Sequence, residues 1–129
     1  MGTPSPAVID AFVAAINARD LEALHAVFTD DLVLEWPQSG ERIVGNDSRK
    51  EVYARMPTLP RIAPWRVTGS GDLWVLEAGL DYGDGHAYLG TLVFELRDAL
   101  IARGVSYWSE PFPPPEWRAP WVERFQPGS

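Results

Sequence analysis

Cysteine is absent from the 129 residues, which excludes disulfides, thiol catalysis and thiolate metal sites together. Histidine is almost absent, with only His25 and His86 present, so a His-rich metal centre has no raw material and no carboxylate–His spacing supplies one. Basic residues are outnumbered: 11 Lys and Arg stand against 18 Asp and Glu, for a net charge of −7. Nucleic acid and anionic membrane surfaces would be repelled, and no cluster of Lys and Arg offsets that average. No apolar run approaches the ~20 residues of a membrane-spanning helix. Met1 to Ala7 is neither basic nor apolar enough for a secretory leader. No glycine-rich loop opens a helix after a strand, and no serine sits in a nucleophile elbow. What remains fits a cytosolic protein with neither nucleic acid nor membrane as a partner.

What is present is a globular composition, 46% hydrophobic and 22% charged, long enough to bury a real core as one domain over residues 1–129. The organising stretch is Leu73 to Glu110, which holds the apolar, β-rich runs Leu73–Tyr82, His86–Arg97 and Ile101–Glu110. Gly83-Asp84-Gly85 supplies the positive φ of a tight reversal between the first two. The polar break Arg97–Leu100 turns the second into the third. The pattern is an antiparallel meander of long strands able to curl.

Helices precede it. Ile9, Phe12, Val13 and Ile16 repeat with helical spacing, and Asp20 is placed as the N-cap of a second helix that buries Leu21, Leu24 and Phe28. Asp30-Asp31 closes that helix, and Leu32–Trp36 forms a first strand stopped by Pro37. Ser48 and Glu51 have capping-box spacing, with Asn46 or Asp47 as alternative caps. The third helix turns Val52, Tyr53 and Met56 inward and stops before Pro57. Pro57 to Pro64 reads as an extended connector, and Trp65 to Gly69 as the next strand. Residues 111–129 form a Pro/Trp-rich segment whose Phe112, Trp117, Trp121 and Phe125 are too large and apolar for a free tail. That segment is expected to dock on the body or on a second subunit.

The stretches Phe12–Asp20 and Val27–Pro37, Gly45 ahead of the third helix, and Val105–Phe112 follow one another in an order that resembles the SnoaL-like branch of the nuclear transport factor 2-like superfamily. The resemblance covers roughly Pro6 to Phe112. It implies an α+β fold: a cone-shaped α+β barrel with three N-terminal helices packed on a curved antiparallel sheet around a small-molecule pocket. Relatives in that branch include polyketide cyclases, cofactor-independent hydroxylases and phenazine-biosynthesis condensing proteins. The catalytic Tyr and two Asp of ketosteroid isomerase fall on Phe12, Trp36 and Leu92 here, which argues against that mechanism. The acid/base Glu of the phenazine-type proteins falls on Tyr107, a poor carboxylate substitute. The Asp-Arg-Asp set of limonene epoxide hydrolase has no counterpart.

Strand alternation sorts the remaining candidates. Leu34 and Trp36 point inward with Glu35 outward; Trp74, Leu76, Ala78, Leu80 and Tyr82 share the inner face of the next run. His86, Tyr88, Gly90, Leu92 and Phe94 share it on the second, and Arg103, Val105 and Tyr107 on the third, leaving Trp108 and Glu110 opposite. A one-residue bulge inverts any of these assignments. The expected pocket walls are Trp36, Tyr53, Trp74, Tyr82, Tyr88 and Phe94, each equally able to serve as core. His86 is either a solvated turn residue or a general acid/base. Tyr107 hydrogen-bonds a ligand or a neighbour. Glu110 becomes a base if the rim folds inward. Arg103, if inward, needs an anion: a substrate oxygen or an internal Glu or Asp.

The resulting expectation is an acid/base enzyme of secondary metabolism that uses neither metal nor organic cofactor. It would cyclise, isomerise or dehydrate a small apolar or aromatic molecule. The alternative is a non-catalytic binding module. A homodimer formed through the outer sheet face is implied by the resemblance, with Trp108 and the Pro-rich tail as contacts.

Overall fold

A computed structural model describes residues 5–128. Residues 1–4, which belong to the stretch screened for a leader, and residue 129 of the tail lie outside the described residues. Helix α1 (Ala7–Ala18) buries Ile9, Phe12, Ala15 and Ile16 on one stripe, as the 3.6-residue period requires. It ends where Arg19 takes a left-handed conformation. The Arg19 guanidinium then donates to the carbonyls of Ile16, Leu59 and Pro60, tying the proline-rich connector back to the helix end. Asn17 makes a reciprocal pair with the backbone of Ile62: its Oδ1 accepts the Ile62 N–H and its Nδ2 donates to the Ile62 carbonyl.

Helix α2 (Leu21–Ala26) is capped by Asp20, whose carboxylate accepts the Ala23 N–H at 3.0 Å. The helix is shorter than its apolar spacing predicts, because Phe28 enters strand β1 (Phe28–Trp36) and Leu21 stays exposed. A short strand β2 (Glu41–Val44), not anticipated from the sequence, pairs back on β1. Helix α3 (Asn46–Arg55) follows with Gly45 as its N-cap and no side-chain cap. The Ser48–Glu51 capping box therefore does not form: the helix starts before Ser48, at a glycine with φ +93° whose N–H bonds to Leu32 at 2.6 Å. Asn46 and Arg49 are buried on α3, an outcome its polar sequence does not announce.

Strands β3 (Arg61–Ser70), β4 (Leu73–Asp81), β5 (Ala87–Arg97) and β6 (Leu100–Ser109) complete a six-stranded sheet in the order β2-β1-β6-β5-β4-β3. Neighbours are antiparallel except β1 and β6, which run parallel. Pro64 lies within β3, tolerated because β3 is an edge strand and its register shifts between Pro64 and Arg66. The helices fill the concave side, so the core runs from Ile9 and Leu24 across Leu32, Leu76 and Ile101, all fully buried.

Parity on β1, β4 and β5 follows the sequence expectation, with Leu34, Trp74, Leu76, Ala78, Leu80, Leu92 and Phe94 buried. On β6 it is inverted. Ile101 pairs with Leu96, but the next paired residue, opposite Glu95, is Arg103, so Ala102 is an extra residue in the strand. Beyond that bulge Gly104, Ser106 and Trp108 take the inner side, while Arg103, Val105 and Tyr107 move to the outer one. Gly104 leaves room for Leu34: a Cβ there would lie 2.7 Å from Leu34 Cδ2. The outer face carries a row of ion pairs across four strands. Glu35 accepts from Arg42 at 2.7 and 2.9 Å and from Arg103, which also reaches Glu95 at 2.7 Å. Arg97 pairs with Asp31 and Arg66 with Glu77.

Arg42 first and Arg103 second hold the Glu35 carboxyl below its ordinary value, and Arg97 does the same for Asp31. A carboxylate with a depressed folded pKa adds stability that is fully present above its unfolded value of about 4 and is lost as pH falls through the lower folded value. Thermal midpoints should therefore stay level between pH 7 and 5 and drop steeply below 4. Glu35→Gln should lower the midpoint by a few degrees at pH 7 and flatten that acid limb. Differential scanning calorimetry across the range measures both effects.

Candidate functional site

The cone is not packed solid. A cavity of about 120 Å³ remains toward the carboxyl ends of β1, β4 and α3. Helix α1 contributes Phe12 and Ile16, and Trp36 closes it from β1. Tyr53 and Met56 come from α3, Leu59 and Pro60 from the connector, Ile62 from β3. Leu80, Tyr82, Leu92, Ser106, Tyr107 and Trp108 complete the wall. This space is close to the ~150 Å³ of an apolar cavity that takes benzene, and far below the ~300 Å³ at which drug-sized pockets begin. Its polar equipment is slight: the hydroxyls of Tyr53, Tyr82 and Ser106 and the indole N–H groups.

Trp36 and Trp108 meet edge to face at 5.7 Å and 81°, a favoured aromatic geometry. Trp108 was expected on the outer face and as a subunit contact; the bulge at Ala102 places it in the cavity wall instead. Phe12 separates the cavity from the core behind it, edge-on to Phe28 at 6.1 Å and to Phe94 at 5.3 Å. Phe94 and Trp74 are thus core residues, 3% exposed each, and do not line the cavity. The Trp74 indole N–H is already engaged by the Gly71 carbonyl at 2.8 Å.

Outside the cavity lies a vestibule formed by Met56, Pro57, Thr58, Tyr82, Asp84, Tyr88 and Trp108. Tyr82 and Tyr88 stack edge to face at 5.3 Å. The β4–β5 turn presents Asp84, whose Oδ1 accepts the His86 N–H at 3.0 Å while Oδ2 accepts the Tyr88 hydroxyl at 3.3 Å. The His86 amide hydrogen bond, more than any other influence, holds Asp84 below the usual carboxylate range. Desolvation pushes the Tyr82 and Tyr88 phenols up, with Asp84 adding to both. Burial pushes Tyr53 up to about 12, against the opposing field of Arg49. These phenols therefore stay protonated at neutral pH and act as donors. His86 Nδ1 lies 3.7 Å from Glu110 Oε1, both side chains well exposed on the rim.

The structure thus gathers Trp36, Tyr53 and Tyr82 on the cavity wall and Tyr88 at its mouth, with His86 and Glu110 paired on the rim outside it. It separates Arg103 from them and leaves Tyr107 on the outer parity at the cavity edge. Arg103, read from the sequence as inward, faces out and is matched by Glu35 and Glu95, so its anion is internal. Tyr107 lies on the outer parity opposite Thr91, 49% exposed, and borders the cavity between Ser106 and Trp108. Asp84, which the sequence marks only as a turn residue, is the carboxylate nearest the mouth. A tyrosine two residues before it and another four after it, across a Gly-Asp-Gly reversal, were the available signal. Among the described residues no three His, Asp or Glu side chains converge as a metal-holding group, and no helix is long and apolar enough to cross a membrane.

Known proteins share this arrangement. The chain matches the SnoaL-like domain over residues 9–104. An NTF-2 like protein of unknown function from Burkholderia xenovorans LB400 is 30% identical and superposes with a TM-score of 0.83, over 93% of this chain and 94% of that one. A Kribbella flavida protein provisionally assigned as a ketosteroid isomerase is 26% identical with a TM-score of 0.85, over 94% and 89%. An LEH-like epoxide hydrolase of M. tuberculosis is 24% identical with a TM-score of 0.71, over 81% of each chain. With helices plugging a curled six-stranded sheet and the match spanning most of its length, the chain belongs to the SnoaL-like family of the NTF2-like fold.

Proposed function

We propose that this protein binds a small, largely apolar molecule of about one ring in the cone and promotes its isomerisation, cyclisation or dehydration by proton transfer at the mouth, without metal or organic cofactor. The observation that carries this reading is the junction of an apolar cavity with a polar mouth. Tyr82 belongs to both the cavity and the vestibule, and Tyr88 and Asp84 stand next to it. An ionised Asp84, oriented by the Tyr88 hydroxyl, serves as base, and the phenol of Tyr82 donates to a developing oxyanion at the junction of cavity and vestibule. Relatives assigned as a ketosteroid isomerase and an epoxide hydrolase fit chemistry of this kind on one scaffold. His86 and Glu110 lie further out and relay protons between that carboxylate and solvent.

A second reading rests on a specific observation: among the described residues no carboxylate or imidazole lines the cavity itself. The ketosteroid isomerase positions Phe12, Trp36 and Leu92 all lie on its wall and carry no proton-transfer group. On that reading the protein holds its ligand without transforming it. The tail supports a further assignment. Phe112, Trp117, Trp121 and Phe125 are 72–79% exposed, more apolar surface than a lone subunit ordinarily leaves in water. A homodimer that covers these aromatics and the outer sheet face accounts for them within a single domain.

Toluene should bind wild-type protein with one-to-one stoichiometry by calorimetric titration, and Leu92→Phe should weaken it at least tenfold by filling the cavity; equal binding by both proteins would place toluene elsewhere. Exchange of the α-hydrogens of cyclohexanone for deuterium, followed by NMR, should run above the buffer rate. Asp84→Asn should slow it by about 10²-fold. Toluene binding with no accelerated exchange would select the non-catalytic reading. Light scattering should return twice the chain mass, shifting toward the monomer in Trp117→Ser combined with Trp121→Ser.

A further inference from the structure

Arg49 is a buried cation that the cavity chemistry above does not use. It is 1% exposed, on the first turn of α3. Its Nε donates to Asn46 Oδ1 at 2.8 Å, and Asn46 is itself held by the His25 carbonyl at 2.9 Å. The guanidinium Cζ lies 4.8 Å from the Phe28 ring centroid and 5.0 Å from that of Tyr53. Those contacts offset far less than the cost of taking an unpaired charge out of water.

Nη1 and Nη2 are buried without an acceptor, leaving four of the five guanidinium N–H donors unmatched. None of the ion pairs among the described residues includes Arg49. Another buried polar side-chain atom without a partner among the described residues, His25 Nδ1, belongs to a residue adjoining the same junction of α2, β1 and α3. His25 supplies the carbonyl that holds Asn46. Burial opposes the cation, pulling the Arg49 pKa down. A planar oxyanion is the group that answers such a fork, because a carboxylate accepts two parallel N–H bonds from it.

Tyr53 connects this cation to the cavity. Its ring touches the guanidinium and also forms part of the cavity wall. We propose that Arg49 is an anion anchor: its Nη groups take the carboxylate head of the molecule whose apolar body fills the cone, with Tyr53 as the side chain that moves to join the two spaces. The inference rests on the small-molecule reading of the cone and narrows it to a small aromatic or alicyclic carboxylate. A protonated Tyr53 phenol then adds a donor to the same head group.

Calorimetric titration with benzoate, toluene and formate, on wild type, Arg49→Met and Arg49→Lys, tests it. Wild type should bind benzoate at least tenfold more tightly than toluene, and formate far more weakly than benzoate. Arg49→Met should lose tenfold or more for benzoate while holding toluene within twofold. Without ligand its thermal midpoint should equal or exceed that of wild type, because an uncompensated charge has been removed. Arg49→Lys should fall between them, retaining charge without the planar fork, and it carries the test if the methionine variant does not fold. Toluene binding with no preference for benzoate, or a preference that survives Arg49→Met, overturns the anchor and leaves the cone reading intact. Formate binding as tightly as benzoate assigns the site to a free anion and also overturns it. Failure of both benzoate and toluene to bind overturns the cone reading itself.

Discussion

The arrangement of this protein turns on the extra residue in β6. At Ala102 the ladder with β5 skips a position, and the ladder with β1 shifts over the same stretch. Everything beyond is rotated to the opposite face. Trp108 and Ser106 enter the cone, and Arg103, Val105 and Tyr107 leave it. The energetics agree with that choice. Inside the cone, Arg103 would be a second cation without a carboxylate. Outside, it bridges Glu35 and Glu95. Gly104 completes the fit, since a Cβ there would push the Leu34 side chain aside.

With that rotation set, polar and apolar groups sort by depth. The narrow end is closed by Trp74, Phe94 and Phe28 around Phe12. The middle is an apolar hollow, and the carboxylates and the imidazole stand at the wide end on the β4–β5 turn and the end of β6. Such a gradient seats the ligand's apolar body in the hollow and keeps its reacting oxygen near the tyrosines at the mouth. Arg49 is the exception to the gradient, a charge set deep beside the hollow. Its cost to the empty fold is what makes its place informative, because packing alone would be served better by an apolar side chain.

The outer face follows other physics. Its ion pairs are exposed and individually weak, but they alternate in sign across β2, β1, β6 and β5, which fixes their register against one another. The tail leaves β6, turns through Glu116–Trp121 and returns over β3, where Gly128 packs so closely on Trp65 that a Cβ would come within 2.6 Å of the indole nitrogen. Phe125 borders the same recess as Trp65 and Gly128, yet it, Phe112, Trp117 and Trp121 keep most of their surface in water, so the segment is anchored at its end and open along its length.

The amino-acid sequence by itself determined the apolar stripe of α1, the meander with its Gly-Asp-Gly reversal, the inner faces of β1, β4 and β5, and the resemblance to the SnoaL-like branch. Each is a periodicity within one segment, or a turn chemistry local to a few residues, and so is written in consecutive positions. From it Trp36, Tyr53 and Tyr82 could be placed against a hollow. Tertiary structure alone decided the rest. The bulge at Ala102 comes from pairing β6 with β5 and β1 at once, and register is a property of two chain segments that neither encodes alone. The burial of Arg49 was hidden because α3 is polar around most of its circumference, so no stripe marks its inner side; only the packing of α2 and β1 against it chose one. Asp84 looked like any turn aspartate until the hairpin folded it beneath Tyr88.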